Sequence, residues 1–109
     1  MKKVTFYIGL NDKDTKVQKI STIEAYKVIE NTVCEFFGGA TILEARGVYT
    51  HSDNEQNVVR EKSFAVEVID FGQNENFDAS IKDFCRVIKI ALNQESIAVH
   101  TQEFNGALI

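Results

Sequence analysis

Three cationic side chains in the middle of the sequence are its clearest candidates for chemistry. Arg46 lies in a segment of alternating hydrophobicity, Thr41 to Tyr49, and Arg60 and Lys62 lie in a second one, Val58 to Phe71. If the two strands pair symmetrically about the polar turn between them, Arg46 faces Arg60 on one side of a β-hairpin. Like charges in direct opposition destabilise a sheet unless an anion lies between them, and guanidinium groups grip phosphate through two hydrogen bonds. One interpretation is therefore an anion-binding site on the hairpin.

A second interpretation of the hairpin stays open. The turn is expected at Ser52-Asp53-Asn54-Glu55, and Gly47 can mark a β-bulge that shifts the pairing by one residue. Arg46 then faces Glu61, and the charges form an ordinary solvated lattice. In that case the hairpin carries no site.

Other candidates for chemistry lack the partners that they need. Asn11-Asp12-Lys13-Asp14 resembles the start of a calcium loop but lacks its glycine and distal glutamate, so a polar turn is expected. His51 and His100 have no cysteine or carboxylate at ligand spacing, which predicts no metal and no cofactor. Cys34 and Cys85 are expected to be reduced thiols. Because no catalytic motif is found, the sequence predicts a protein that is not an enzyme.

Six elements position these residues. Ser21-Thr22-Ile23-Glu24 matches a capping box that begins a helix, and Gly38-Gly39 can end it in the left-handed region. The order βαββαβ is the ferredoxin-like α+β plan, a single domain over residues 1–109 with a four-stranded antiparallel sheet and two helices on one face. The periodicities predict strands at Lys3–Leu10, Thr41–Tyr49, Val58–Phe71 and Ile97–Phe104, and helices at Ser21–Phe37 and Asp78–Asn93.

The sheet face without helices is predicted to be apolar. Such a patch on a small domain favours burial by a second copy, so we expect a dimer at least, with the apolar C-terminal residues at an interface. The alternation assigns six residues to this face: Tyr7, Leu43, Ala45, Tyr49, Ala65 and Ile69.

The composition excludes several classes of protein. The chain has 109 residues and a net charge of −4, which argues against general binding of DNA or RNA. Its hydrophobic segments are too short to span a membrane, and its N-terminus is too charged for a signal peptide. A cytoplasmic protein is expected.

Three stretches resemble a family of small, mostly phage-encoded proteins: residues 7–15, Gly39-Ala40-Thr41 with Gly47-Val48-Tyr49, and Gln94-Glu95-Ser96-Ile97. The chain is similar to the Thoeris anti-defence proteins of the first type. Residues 39–63 and the Gln94 turn also resemble a family of uncharacterised, ferredoxin-like bacterial proteins. The first resemblance implies a sponge in the cytoplasm of the host bacterium that sequesters cyclic ADP-ribose isomers without cleaving them. It also implies dimers or hexamers, and in some members a second site for cyclic oligonucleotides.

A ligand of this kind needs cations for its pyrophosphate, an aromatic ring for adenine and amides for hydroxyls. Two alternatives to the sponge stay open: an interaction module that only dimerises, and a small dimeric enzyme of ferredoxin-like fold. Two interpretations also stay open for the outer face of the second helix, which carries Lys82, Arg86 and Lys89: solvated charge, or a site shared with a neighbouring subunit. The ligand-binding candidates are Arg46, Arg60 and Lys62 as cations, Phe77 or Tyr7 as aromatic ring, and Asn11, Asn93 or Gln94 as amides.

Overall fold

The computed structural model describes residues 1–51 and 54–109, and side chains outside residues 51–57. It confirms the ferredoxin-like α+β fold, since all six predicted elements are present in the predicted order. Their bounds are β1 Lys2–Gly9, α1 Thr22–Phe37, β2 Thr41–His51, β3 Asn54–Asp70, α2 Phe77–Ala91 and β4 Ala98–Glu103.

The four strands form one antiparallel sheet in the order β2-β3-β1-β4. Alternate residues of the central strand β1 face the helices, and Val4, Phe6 and Ile8 are fully buried there. Phe84 of α2 packs on the Phe6 ring with 4.6 Å between centroids. A core between one sheet face and two helices leaves the other face, which we call the open face, without cover.

Local sequence chemistry sets the bounds of the first helix. Ser21 Oγ accepts a hydrogen bond from the Glu24 amide at 3.1 Å, which confirms the predicted N-cap. Gly38 adopts φ 79°, and its amide donates to the Cys34 carbonyl at 2.9 Å, which confirms the predicted stop. The stripe facing the sheet includes Ala25 and Ile29, both fully buried.

The hairpin register differs from both expectations. Arg46 lies opposite Lys62, not Arg60, and Gly47 lies opposite Glu61 without a bulge. The one irregularity in this pair of strands falls between Thr50 and His51. The symmetric register was wrong by two residues, a shift that leaves each side chain on its predicted face because the strand period is two. Ser52 and Asp53 of the expected turn lie outside the described residues.

The open face carries the predicted apolar residues. Tyr7, Leu43, Tyr49 and Ile69 are each between 44% and 51% exposed. Ala65 lies between Tyr7 and Leu43 and is buried. The described helices are all too short or too polar to cross a lipid bilayer.

Candidate functional site

One cavity of about 280 Å³ lies where the loop after β1, the β2–β3 hairpin and the turn before β4 meet. These are the three stretches whose residues resemble known families. We call it the Glu61 cavity; it is lined by Asn11, Asp12, Lys13, Lys16, Tyr49, Glu61, Gln94, Glu95 and Ser96.

The carboxylate of Glu61 is held above glycine backbone. Glu61 is half-buried and points to the open face, and its Oε2 accepts a hydrogen bond from the Asn11 amide at 3.0 Å. A Cβ atom added to Gly9 would lie inside van der Waals contact of this carboxylate, and one added to Gly47 would lie 3.4 Å from Glu61 Cγ. Glycine on both neighbouring strands therefore makes room for the Glu61 side chain.

The loop after β1 is a polar turn built around Asp12, as predicted. Asp12 Oδ2 accepts from the amides of Asp14 at 2.9 Å and Thr15 at 3.0 Å. Asp12 Oδ1 accepts from Asn93 Nδ2 at 2.7 Å. The hydrogen bond from Asn93, followed by those from the loop, lowers the pKa of Asp12 to about 2. Asp12 is therefore an ionised carboxylate at neutral pH, committed to holding the loop.

The turn between α2 and β4 is fastened to the same loop. Gln94 is buried, and its Nε2 donates to the Asn11 carbonyl at 2.7 Å. The Lys13 amide donates to the Asn93 carbonyl at 3.0 Å. Asn93 adopts φ 49°, a left-handed conformation that asparagine tolerates better than most residues. Side-chain and backbone contacts together fix one wall of the cavity.

The remaining lining groups give the cavity mixed charge. Tyr49 brings an aromatic ring from the open face of β2, and Glu95 adds a carboxylate to those of Asp12 and Glu61. Lys13 and Lys16 supply cations to the lining. Such a set suits a small ligand that carries both charges and has an aromatic portion. Within the described part of the chain, no three His, Cys, Asp or Glu residues cluster as metal ligands would.

Of the predicted amides, Asn11 and Gln94 meet in the Glu61 cavity, and Asn93 lies beside it. Arg46 and Lys62 lie elsewhere, on the helix side of the hairpin. They line a cleft of about 400 Å³, which we call the Arg46 cleft, together with Thr22, Glu44, Ala45 and Ser63.

The other predicted ligand residues are scattered. Arg60 is exposed opposite Val48, further along the hairpin than the Arg46 cleft. Phe77 is only 6% exposed, and its ring packs edge-on against Phe37 at 5.6 Å. Tyr7 stands on the open face, and Arg86 forms an ion pair with Asp83 at 3.5 Å on α2.

Sequence reasoning missed the two side chains that define the cavity. Glu61 was considered only as a pairing partner for Arg46, and Tyr49 only as part of an apolar patch. The signal that could have found Glu61 is its position between two strands that each present a glycine, Gly9 and Gly47. That arrangement depends on a register that sequence did not supply.

The fold is similar to that of three solved structures. A phage SAM lyase in its apo state is 22% identical with a TM-score of 0.70, and the match covers 93% of this chain and 78% of that chain. A phage SAM lyase in complex with S-methyl-5'-thioadenosine is 25% identical with a TM-score of 0.67, covering 94% and 80%. The divalent ion tolerance protein CutA1 from Ehrlichia chaffeensis is 14% identical with a TM-score of 0.54, covering 97% and 84%, which shows the fold alone.

These likenesses leave one expectation untested and correct another. None of the three structures is a cyclic ADP-ribose sponge, so the likeness found here is to phage SAM lyase. Phage SAM lyase is an enzyme, so this likeness contradicts the prediction that the protein is not an enzyme. The groups around Glu61 come from distant segments of the chain, so no single sequence motif contains them.

No curated protein sequence matches the chain significantly. A family model does match it, over residues 3–106, and describes proteins of unknown function. The chain belongs to this family, DUF3574.

Proposed function

We propose that the protein is an enzyme that binds S-adenosylmethionine in the Glu61 cavity and cleaves it to S-methyl-5'-thioadenosine. The observation that carries this proposal is the Glu61 carboxylate, which the Asn11 amide holds in a cavity that Tyr49 also lines. The fold around this cavity is similar to that of a phage SAM lyase bound to S-methyl-5'-thioadenosine. A small-molecule substrate fits a cavity of this size and polarity.

The charges of the substrate match those of the cavity. S-adenosylmethionine carries a sulfonium and an ammonium group, and Glu61 and Glu95 offer two carboxylates to them. The Tyr49 ring can stack on adenine or contact the sulfonium through its π face. Lys13 and Lys16 can attract the substrate carboxylate towards the rim.

The reaction needs no cofactor. The carboxylate of the substrate attacks its own γ-carbon, the bond from that carbon to sulfur breaks, and the electron pair stays on sulfur. The products are neutral S-methyl-5'-thioadenosine and homoserine lactone, so the positive sulfonium and the negative carboxylate disappear together. The protein has to fold the substrate chain into the attacking geometry, and Glu61 contributes by holding a positive group of that chain in place.

The test is incubation of the purified protein with S-adenosylmethionine and chromatographic detection of the thioadenosine and the lactone. Glu61→Gln removes the charge but keeps the shape, and we expect kcat/KM to fall about 10- to 100-fold. Glu35→Gln on the exposed side of α1 makes the same chemical change far from the cavity and should leave activity unchanged. Intact S-adenosylmethionine after prolonged incubation, or an unaffected Glu61→Gln variant, would contradict the proposal.

A second candidate function is binding of a pyrophosphate-bearing nucleotide, such as a cyclic ADP-ribose isomer, on the hairpin. The observation that favours it is the direct opposition of Arg46 and Lys62, with Arg60 two residues further along the same face. Neither Arg46 nor Lys62 has a carboxylate of a described residue within ion-pair distance. A phosphate between them would relieve the repulsion of like charges.

Calorimetry with a cyclic ADP-ribose isomer tests this candidate. Arg46→Ala and Arg60→Ala should each weaken binding by roughly 2 to 4 kcal/mol while the fold is kept. Arg60→Lys should also lose affinity, because lysine keeps the charge but not the planar fork. Glu61→Gln serves as the control, since it alters the other cavity. Heating the complex shows whether the released ligand is intact, and equal affinity in all variants would rule out a hairpin site.

A further inference from the structure

A buried carboxamide contacts the same residue as the carboxylate on which the proposed chemistry depends. Gln94 is 9% exposed, and its Nε2 donates to two backbone carbonyls, those of Asn11 at 2.7 Å and Leu92 at 3.3 Å. Both hydrogens of the amide group are thus used within the protein. One bond goes to the residue that ends α2 and the other to the loop after β1.

The Asn11 backbone links Gln94 to Glu61. Its carbonyl accepts from Gln94, and its amide donates to Glu61 Oε2 at 3.0 Å. Asn93 holds the same loop through Asp12, a contact that leaves the Asn11 backbone untouched. Gln94 and Glu61 are therefore hydrogen-bonded to the same residue, Asn11.

We propose that Gln94 is a positioning residue for Glu61, acting through the backbone of Asn11; this inference rests on the proposed lyase function. Without the Gln94 donor, the Asn11 amide no longer points at the place where the Glu61 carboxylate lies. A misdirected carboxylate still attracts a cationic substrate but holds its chain less often in the reactive geometry. The loss falls on kcat more than on KM.

The variant that isolates the donor is Gln94→Glu, because it keeps the shape and turns a donor towards the two carbonyls into an acceptor. Gln94→Met removes the donor without adding a charge, and it takes the place of Gln94→Glu if a buried glutamate prevents folding. Gln73→Glu, on the exposed loop before α2, is the matched control for the added charge. For the Gln94 variants we expect kcat to fall at least 10-fold and KM to change less than 3-fold.

A readout without turnover separates positioning from a merely structural role. Hydrogen exchange of the Asn11 amide should be at least 10-fold faster in the Gln94 variants, while core amides such as Ile29 keep their wild-type rates. In the double variant Gln94→Met with Glu61→Gln, the loss in kcat should be no larger than that of Glu61→Gln alone.

The outcomes of this experiment are distinct. An Asn11 amide that exchanges at the wild-type rate, or additive losses in the double variant, overturns the positioning role. If the wild-type protein does not cleave S-adenosylmethionine, the lyase proposal fails. Hydrogen exchange of the Asn11 amide and the affinity for S-methyl-5'-thioadenosine then still decide whether Gln94 positions the Glu61 carboxylate. Uniformly faster exchange across the core would show that Gln94 only stabilises the fold and would also overturn the inference.

Discussion

The space above Gly9 is the smallest feature on which the proposed activity depends. Gly9→Ala would place a methyl group inside contact distance of the Glu61 carboxylate. The carboxylate is the far end of a flexible side chain, so it can swing away at small cost to the fold, but it then leaves the Asn11 amide. We expect turnover of S-adenosylmethionine to fall at least as far as in Glu61→Gln, with the melting temperature nearly unchanged.

Gly39→Ala is the matched control for this substitution. A Cβ atom at Gly39 has nothing within 4 Å, and the residue needs no left-handed conformation. Activity and melting temperature should both stay at wild-type values. Full activity in Gly9→Ala would show that the position of the Glu61 carboxylate is irrelevant to turnover.

Asp12 gives the loop after β1 a defined dependence on pH. The pKa of Asp12 is lowered from 3.8 to about 2 in the folded protein, chiefly by the hydrogen bond from Asn93. The ionised form therefore stabilises the fold fully above about pH 4, and this stabilisation disappears as the pH falls towards 2. Asp12→Asn should lower the free energy of unfolding at pH 7 and make almost no difference at pH 2.

Urea unfolding followed by circular dichroism at several pH values checks this expectation. Asp83→Asn, which alters only an exposed ion pair with Arg86, should change the free energy of unfolding little at any pH. An Asp12→Asn effect of equal size at pH 7 and pH 2 would mean that the lowered pKa does not contribute to stability.

At the scale of elements, the first helix depends on its N-cap. The Ser21 hydroxyl satisfies the Glu24 amide, which has no partner within the helix. Ser21→Ala should lower the free energy of unfolding by about 1 kcal/mol, whereas Ser21→Asp should restore most of it. Chemical denaturation of the three proteins measures this difference, and an unchanged midpoint for Ser21→Ala would contradict the cap.

Phe77 begins the second helix and anchors it in the core. Its ring packs on Phe37, which in turn packs on Phe6 and Phe84. Truncation to alanine should therefore cost roughly 3 to 5 kcal/mol of folding free energy. Phe77→Leu keeps the core filled but removes the aromatic ring, so this variant would lose ligand affinity if Phe77 stacked on adenine. We expect that variant to bind S-methyl-5'-thioadenosine as the wild type does.

At the scale of the whole molecule, the open face favours self-association. Tyr7, Leu43, Tyr49 and Ile69 leave large apolar surfaces in water on one side of a single chain. A second copy would bury them, and we predict a dimer at least at micromolar concentration. Tyr49 also lines the Glu61 cavity, so the predicted association and the proposed ligand binding would share a residue.

Sedimentation equilibrium measures the mass in solution. Leu43→Glu places a charge in the patch and should produce monomers, whereas Val48→Glu, on the opposite face of the same strand, should not. A monomeric wild-type protein at micromolar concentration would contradict the prediction.

The sequence by itself determined the fold and the faces. Alternation in β1 and the helical stripe around Ala25 and Ile29 are periodic, and burial depends on that period alone. Caps such as Ser21 and Gly38 are equally local, since their partners lie within four residues. The apolar open face followed from the same alternation, because a shift of two residues in the pairing of two strands leaves every side chain on the same face of the sheet.

Only the tertiary structure decided where the chemistry lies. Glu61 meets Asn11 across 50 residues of sequence, and Gln94 meets Asn11 across 83. The alternation of side chains is the same in the true hairpin register and in one shifted by two residues, so the sequence left Arg46 opposite either Arg60 or Glu61. Neither register showed the room that Gly47 leaves for Glu61. Contacts between distant segments carry no periodic signal in one chain, and for that reason the cavity emerged only from the folded arrangement.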